Sequence, residues 1–390
     1  MQVENIMFAL IRSEICNCVV EKDLQKELTK EKYKELFVLS QKHDLSHLIA
    51  SSLSRLGFLG DDEVSRAFNQ ALMQAVYRDS RREYAINLTN GLLEQACVPH
   101  INLKGTVLRH MYPRSWMRSC CDIDVLIHKS DIELVEKVLC DNDYLRLEDG
   151  SIHDYNFASP NKIHIEVHHT LTQDGDLSIA DKLLESVWDE HAILEENCKY
   201  RYRMAPELFV IYHLVHMGRH LLHGGCGVRP FIDLWLMERC HFVDQTKLDA
   251  MLEKCNLHSL YDTSVELGKV WLEEYKHNEK TEQLEKYILC GGVYGSTANA
   301  ACVQAAVGVG RVRSFLNLMF LPRNALEVLY PNLKKRPILY PFYQIKRWFG
   351  FFNRSKRKKV RHLVEQRKLV TTDHMNQTAE LLDQLGLIDQ

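Results

Sequence analysis

The chain has 390 residues, 46% hydrophobic and 26% charged, which suits a globular protein of two or three domains with at least one large core. No apolar run approaches the roughly 20 residues that span a bilayer, and the opening "MQVENIMFALIRSEIC" lacks the basic region and clean apolar stretch of a signal peptide, so a cytoplasmic protein is expected. The net charge of −3 hides 11 Lys/Arg and no acid between Lys334 and Arg361, which leaves −14 on the rest of the chain and points to an anionic partner or to docking on its own acidic surface.

Residues 1 to about 95 read as helical. Apolar positions recur at helical spacing through "DLQKELTKEKYKELFVLSQKHDLSHLIASSLSRLG", which Gly57 terminates, and a second run follows from Val64. The texture changes at "VPHINLKG": Pro99 breaks the helix, a short strand follows, and Gly105 permits a tight turn. "TVLRHMY" suits a short helix, and Pro113 to Ser119 a loop.

"CDIDVLI" is the next strand. Ser130 and Glu133 stand at capping-box spacing and mark the start of a helix. "YLRLED", "YNFAS" and "KIHIEVHHTL" are three further strands, which makes a compact α+β unit of about 80 residues, 96–176. After about residue 176 the chain is expected to return to helix. Pro206 sits near N1 of "APELFVIYHLVHMGRHLL", "GGCG" (224–227) precedes "VRPFIDLWLMERC", and helices continue through 177–330. A basic segment, 331–390, closes the chain with a last short helix.

The 12 cysteines form no CxxC, which argues against a zinc ribbon or a thioredoxin-type site and for buried thiols in a reducing compartment. The chemistry concentrates elsewhere. On a strand, residues i and i+2 share a face, so Asp122 and Asp124 project together while Cys121, Ile123 and Val125 face a core. Two like charges on one face call for a cation between them, and a hard divalent ion with oxygen ligands, Mg²⁺ where phosphates are handled, is the economical answer.

In "KIHIEVHHTL" the apolar face is Ile163, Ile165 and Val167, and the polar face is His164, Glu166 and His168. If the two strands are neighbours, Glu166 makes a third carboxylate in a site able to hold two metals. Upstream, Lys104, Gly105 and Thr106 form a turn opening a helix, whose N–H groups suit phosphate oxygens, and Arg118 lies on a loop able to reach a phosphate. Singly these signals have plain structural readings: a strand edge, a turn, a solvated acid.

Their ordered combination resembles the uncharacterised nucleotidyltransferase family of the DNA polymerase β-like superfamily. The resemblance rests on Lys104-Gly105, Tyr112-Pro113, Arg118, Asp122-Ile123-Asp124 and Glu166-Val167-His168, and it is sharp from about 103 to 170. It implies a small mixed sheet carrying the three acids, embedded in predominantly helical N- and C-terminal regions. It also implies Mg²⁺-dependent transfer of a nucleotidyl group from an NTP to an acceptor with release of pyrophosphate. On that pattern Asp122 and Asp124 bind metal, Glu166 completes the site and accepts the nucleophile's proton, and His168, His216, His220 and Asp233 line the cleft. The superfamily's usual Gly-Ser or Gly-Gly is Gly105-Thr106 here, and the gap to Asp122 is longer than usual.

His213, His216 and His220 share one helical face, and the expectation there is a polar wall over the nucleotide rather than a zinc site, because no acid or Cys ligand stands at fitting spacing. His43-Asp44 and His153-Asp154 raise an HD-type phosphohydrolase, but no partner-His helix precedes either. "QIKRWFGFFNRSKRKKVRH" reads as a solvated basic helix with packed aromatics, with nucleic acid or an anionic membrane surface as the competing partner. The acceptor is open: a small molecule, sugar, peptide or protein. The rival functions are a nucleotide-binding interaction protein that retains the fold, and a toxin-like enzyme that nucleotidylates proteins.

Overall fold

A computed structural model of the protein describes residues 2–20, 24–147, 154–172, 177–293, 295–306, 337–350 and 371–388, with isolated positions at 320, 323, 326, 330 and 333. The N-terminal helices are α1 (Val3–Ile15), α2 (Leu24–Glu27), α3 (Lys30–Lys42), α4 (Ser46–Arg55) and the 33-residue α5 (Glu63–Gln95). Their starts follow from capping: the Thr29 side chain accepts from Lys32 N, and Asp62 accepts from Val64 N and Ser65 N. Gly57, at φ +71°, takes the left-handed conformation just past α4, as its position in the sequence suggests.

A seven-stranded mixed sheet follows. Its strands are β1 (His100–Asn102), β2 (Asp122–Ile127), β3 (Leu145–Arg146), β4 (Asp154–Ala158), β5 (His164–His168), β6 (Ala192–Leu194) and β7 (Arg201–Met204), in the order β3-β4-β5-β2-β1-β7-β6. The α+β class expected from the sequence is therefore what the chain adopts. The central pair, β2 and β5, is parallel, and β1 runs antiparallel to β2. Helices α6 (Lys104–Leu108) and α7 (Ile132–Asp141) connect the strands on either side of β2.

Three expectations need correction. Strands β6 and β7 lie in the stretch read as helix, and β7 pairs in parallel with β1, so the sheet extends beyond residue 176. The helix at 130 does begin there, but a 3₁₀ turn over Lys129–Asp131 precedes it, and the Ser130 hydroxyl reaches Asp131 Oδ1 instead of closing a capping box with Glu133. All 12 cysteines are free, but Cys18, Cys97, Cys121, Cys140, Cys240 and Cys290 are exposed; only Cys226, Cys255 and Cys302 are buried, because most lie on outer helix faces and loops.

Strand alternation sorts the sheet into two faces. Ile123, Val125, Ile127, Ile165 and Val167 pack against Ala85, Ile86 and Leu93 of α5 and Val135 and Leu139 of α7 in one apolar cluster. On the other face, Ile101, Leu126 and Met204 join a larger core built from the N-terminal helices and the C-terminal ones. These are α8 (Ser178–Glu185), α9 (Val187–Glu190), α10 (Pro206–Leu222), α11 (Arg229–Arg239), α12 (Gln245–Cys255), α13 (His258–Glu273), α14 (Glu279–Gly291), α15 (Thr297–Ala306), α16 (Tyr340–Gly350) and α17 (Thr372–Gln384).

Pro206 is at the first turn of α10, where its missing N–H costs nothing. Among the described residues no helix is long and apolar enough to cross a membrane. Of the basic stretch, Lys346 and Arg347 lie on α16, while 334–336 and 351–361 are outside the described residues, as is His153.

Candidate active site

The first half of β2 carries its two aspartates on the face away from α5 and α7, just before Leu126 turns that face into core. The parallel register places Asp122 opposite His164 and Asp124 opposite Glu166. The polar face of β5 thus meets the polar face of β2, and three carboxylates and two imidazoles converge. Ligand atoms of Asp122, His164 and Glu166 lie within 4.8 Å of one another, as do those of Asp124, Glu166 and His168. Glu166 belongs to both sets.

Asp124 is 1% exposed, and its Oδ1 accepts from Lys104 Nζ at 2.7 Å and His168 Nε2 at 2.8 Å. Burial works against its charge, but Lys104 and His168 outweigh it and hold the carboxyl well below the usual carboxylate range. Glu166 is the opposite case. Burial, and then the negative charges of Asp124 and Asp122, push it above that range. A divalent cation fits this donor set: hard oxygens from three acids, with the Glu166 carboxyl short of positive charge.

Lys104 reaches Asp124 through a strained start to α6. Its φ of +42° is unusual for a non-glycine residue and turns the chain sharply after Leu103, whose N–H bonds the Asp124 carbonyl at 3.0 Å. The Tyr212 and Asp124 sides of its pocket favour the ammonium against the cost of burial and raise its pKa above the ordinary lysine value.

The opposite wall is α10. His216 and His220 sit with their Nε2 atoms 3.1 Å apart and their rings edge to face. Burial first, then the nearby Lys104 and His220, keep His216 neutral by lowering its pKa well below the ordinary value. His213 is buried on the same helix and bonds the Pro230 carbonyl at 3.0 Å. Among the described residues no third ligand joins the His216–His220 pair.

Arg118 has a different setting from the one its loop position suggests. Its Nε and Nη2 each donate to Asp233 at 2.9 Å, and Tyr112 Oη donates to Asp233 Oδ1 at 2.8 Å. The fully buried Asp233 is therefore met by three donors, and α11 is tied to the loop that leads into β2. Gly105 serves the same packing. A Cβ there would stand 2.6 Å from Arg118 Nη1 and would also collide with Cys120 Sγ. The Thr106 hydroxyl is buried with no hydrogen-bond partner among the described residues.

The sequence pattern groups the three acids and reads Lys104 as part of a phosphate turn, and the structure adds Lys104 and His168 to Asp122, Asp124 and Glu166. The pattern did not single out His164, although strand alternation put that side chain on the same face. It also passed over Tyr212, four residues before His216 and so one turn away on α10. Asp44 bonds Ser119 and Arg229, His43 is buried, and among the described residues neither belongs to a group of side chains able to hold a metal ion.

The model of the family described as uncharacterised nucleotidyltransferase matches residues 29–273, and the chain belongs to that family. No curated protein and no solved structure matches it.

Proposed function

From membership of a nucleotidyltransferase family, we propose that this chain moves a nucleoside monophosphate from an NTP to a hydroxyl-bearing acceptor, with Mg²⁺ as the expected ion and pyrophosphate as the product. The observation that carries the reading is the β2–β5 register, which sets Asp124 beside Glu166 and Asp122 one step away on the same face. Asp122, Asp124 and Glu166 would hold the metal, which when bound neutralises the triphosphate and acts as a Lewis acid toward it.

The chain's own residues do the rest. Glu166 stands in both groups of converging ligand atoms and so suits completion of the metal site. Lys104, Tyr212, His216 and His220 offer a cationic and polar wall to the polyphosphate, with Gly105 and Thr106 at the turn beneath. Arg118 and Asp233 keep the approach to β2 rigid by locking it to α11. On this reading the catalytic core takes in residues 96–176 and the β6–β7 hairpin, and the helices of 177–330 close the cleft. The 12 free thiols support a reducing, cytoplasmic setting.

The test is transfer of label from an α-phosphate-labelled NTP, with Mg²⁺, to small-molecule hydroxyl acceptors and to protein. Label on an acceptor together with stoichiometric pyrophosphate supports the reading. Loss of only the terminal phosphate contradicts it.

A further inference from the structure

We propose that His164 and His168 are metal ligands, and that strands β2 and β5 hold a pair of first-row transition ions bridged by Glu166 in preference to Mg²⁺ bound through oxygen alone. The inference depends on the nucleotidyl-transfer reading for the location of the metal and goes beyond it in the ligands and the class of ion.

The argument is geometric. The two oxygens of Glu166 face different imidazoles: Oε1 lies 3.6 Å from His164 Nδ1, and Oε2 lies 3.7 Å from His168 Nε2. Both separations exceed a good hydrogen bond. They are close to the roughly 3.0–3.6 Å expected between two ligands that each stand about 2.1 Å from a shared ion. Each imidazole is matched with its own aspartate: His164 is the register partner of Asp122, and His168 contacts Asp124. The result is a repeated Asp–His unit on each side of one carboxylate, the arrangement of a bridging glutamate between two ions.

Ligand chemistry then selects the ion. Mg²⁺ asks for oxygen donors in near-ideal octahedral geometry. Imidazole mixed with carboxylate suits Zn²⁺, Fe²⁺ or Ni²⁺ better, and Mn²⁺, a carboxylate-binding ion of the same row, serves as the paramagnetic probe. The two positions are not equivalent. At the inner one, Asp124 Oδ1 already carries the Lys104 ammonium and the His168 N–H, both of which an ion must displace. At the outer one, the His164 side chain is 37% exposed and the Glu166 side chain 25% exposed, so an ion can enter from solvent. The outer position is expected to load first.

Mn²⁺ titrated into the full chain and followed by electron paramagnetic resonance tests this without reference to turnover. The expected result is bound Mn²⁺ with pulsed-resonance coupling to directly ligated imidazole nitrogen. In His164→Gln, Mn²⁺ affinity should fall about tenfold or more and the nitrogen coupling of the tighter position should vanish, while Mg²⁺ affinity changes less than about threefold. His168→Gln should remove the coupling of the weaker position. Bound Mn²⁺ lacking nitrogen coupling in the wild type, or an unchanged His164→Gln, overturns the assignment. If the chain binds NTP and Mg²⁺ while Mn²⁺ lacks nitrogen, the histidine ligands alone are lost; if neither ion binds, the nucleotidyl-transfer reading is lost with them.

Discussion

Lys104 Nζ lies 2.7 Å from Asp124 Oδ1, on the same oxygen that takes the His168 Nε2 proton at 2.8 Å. The protein therefore supplies its own cation to the most buried acid of the site. Any ion that binds Asp124 competes with that ammonium, so a metal there and the position of Lys104 would be linked through one carboxylate oxygen.

Asp124→Asn should abolish turnover, with a fall of about 10³-fold or more, because the variant loses a charge that the proposed function assigns to metal binding. It also leaves Lys104 without its counter-charge. Unfolding free energy should therefore fall by about 1–3 kcal/mol while far-ultraviolet circular dichroism stays native. Retained nucleotidyl transfer in the variant would remove Asp124 from the chemistry.

Lys104→Met separates two roles. Removing the competing ammonium should raise divalent-ion affinity severalfold in calorimetric titration. The KM for NTP should rise roughly tenfold, because the polyphosphate contact proposed for Lys104 is lost. Weaker metal binding in this variant would show that Lys104 supports the metal site rather than competing with it.

Arg118 and Asp233 form a buried bidentate pair, with side chains 9% and 0% exposed. Arg118→Met alone strands a buried carboxylate and should cost about 3–5 kcal/mol in urea unfolding, as should Asp233→Leu alone. The double variant should cost less than the sum of the two, since each single change leaves a charge that the double change removes. Additive costs would mean the pair is not coupled.

Acid should destabilise the fold through its buried histidines. His43 is fully buried, and burial together with the Lys42 charge lowers its pKa to about 4. In the unfolded chain it titrates near 6.5. As pH falls the unfolded state takes up the proton first, so this contribution is complete above about pH 6.5 and is lost as pH falls from there through about 4. His43 alone should remove about 2 kcal/mol of unfolding free energy by pH 5. His47, His100 and His213 shift in the same direction. Stability that is flat or rising from pH 7 to pH 5 contradicts this.

What the sequence made legible was local and periodic. Alternation in "CDIDVLI" and "KIHIEVHHTL" placed the acids on one face, and Pro206 and Gly57 marked helix ends through their own backbone limits. What it hid depends on tertiary contact. The Arg118–Asp233 pair joins residues 115 positions apart, and the loop base and the helix acid read equally well as a phosphate contact and a cleft wall. Strands β6 and β7 are short, and β7 is stabilised by pairing with β1 rather than by any pattern of its own. The positive φ of Lys104 is held by surrounding structure, so the sequence could suggest a turn there but not that its side chain would land on Asp124.

The most direct measurement is a structure of the chain with divalent metal and a non-hydrolysable NTP. The expected result is oxygens of Asp122, Asp124 and Glu166 at about 2.0–2.2 Å from ions that also contact the triphosphate, with Lys104 Nζ moved off Asp124 toward a phosphate. Metal and nucleotide bound elsewhere, with the three acids unliganded and Lys104 still on Asp124, would contradict it.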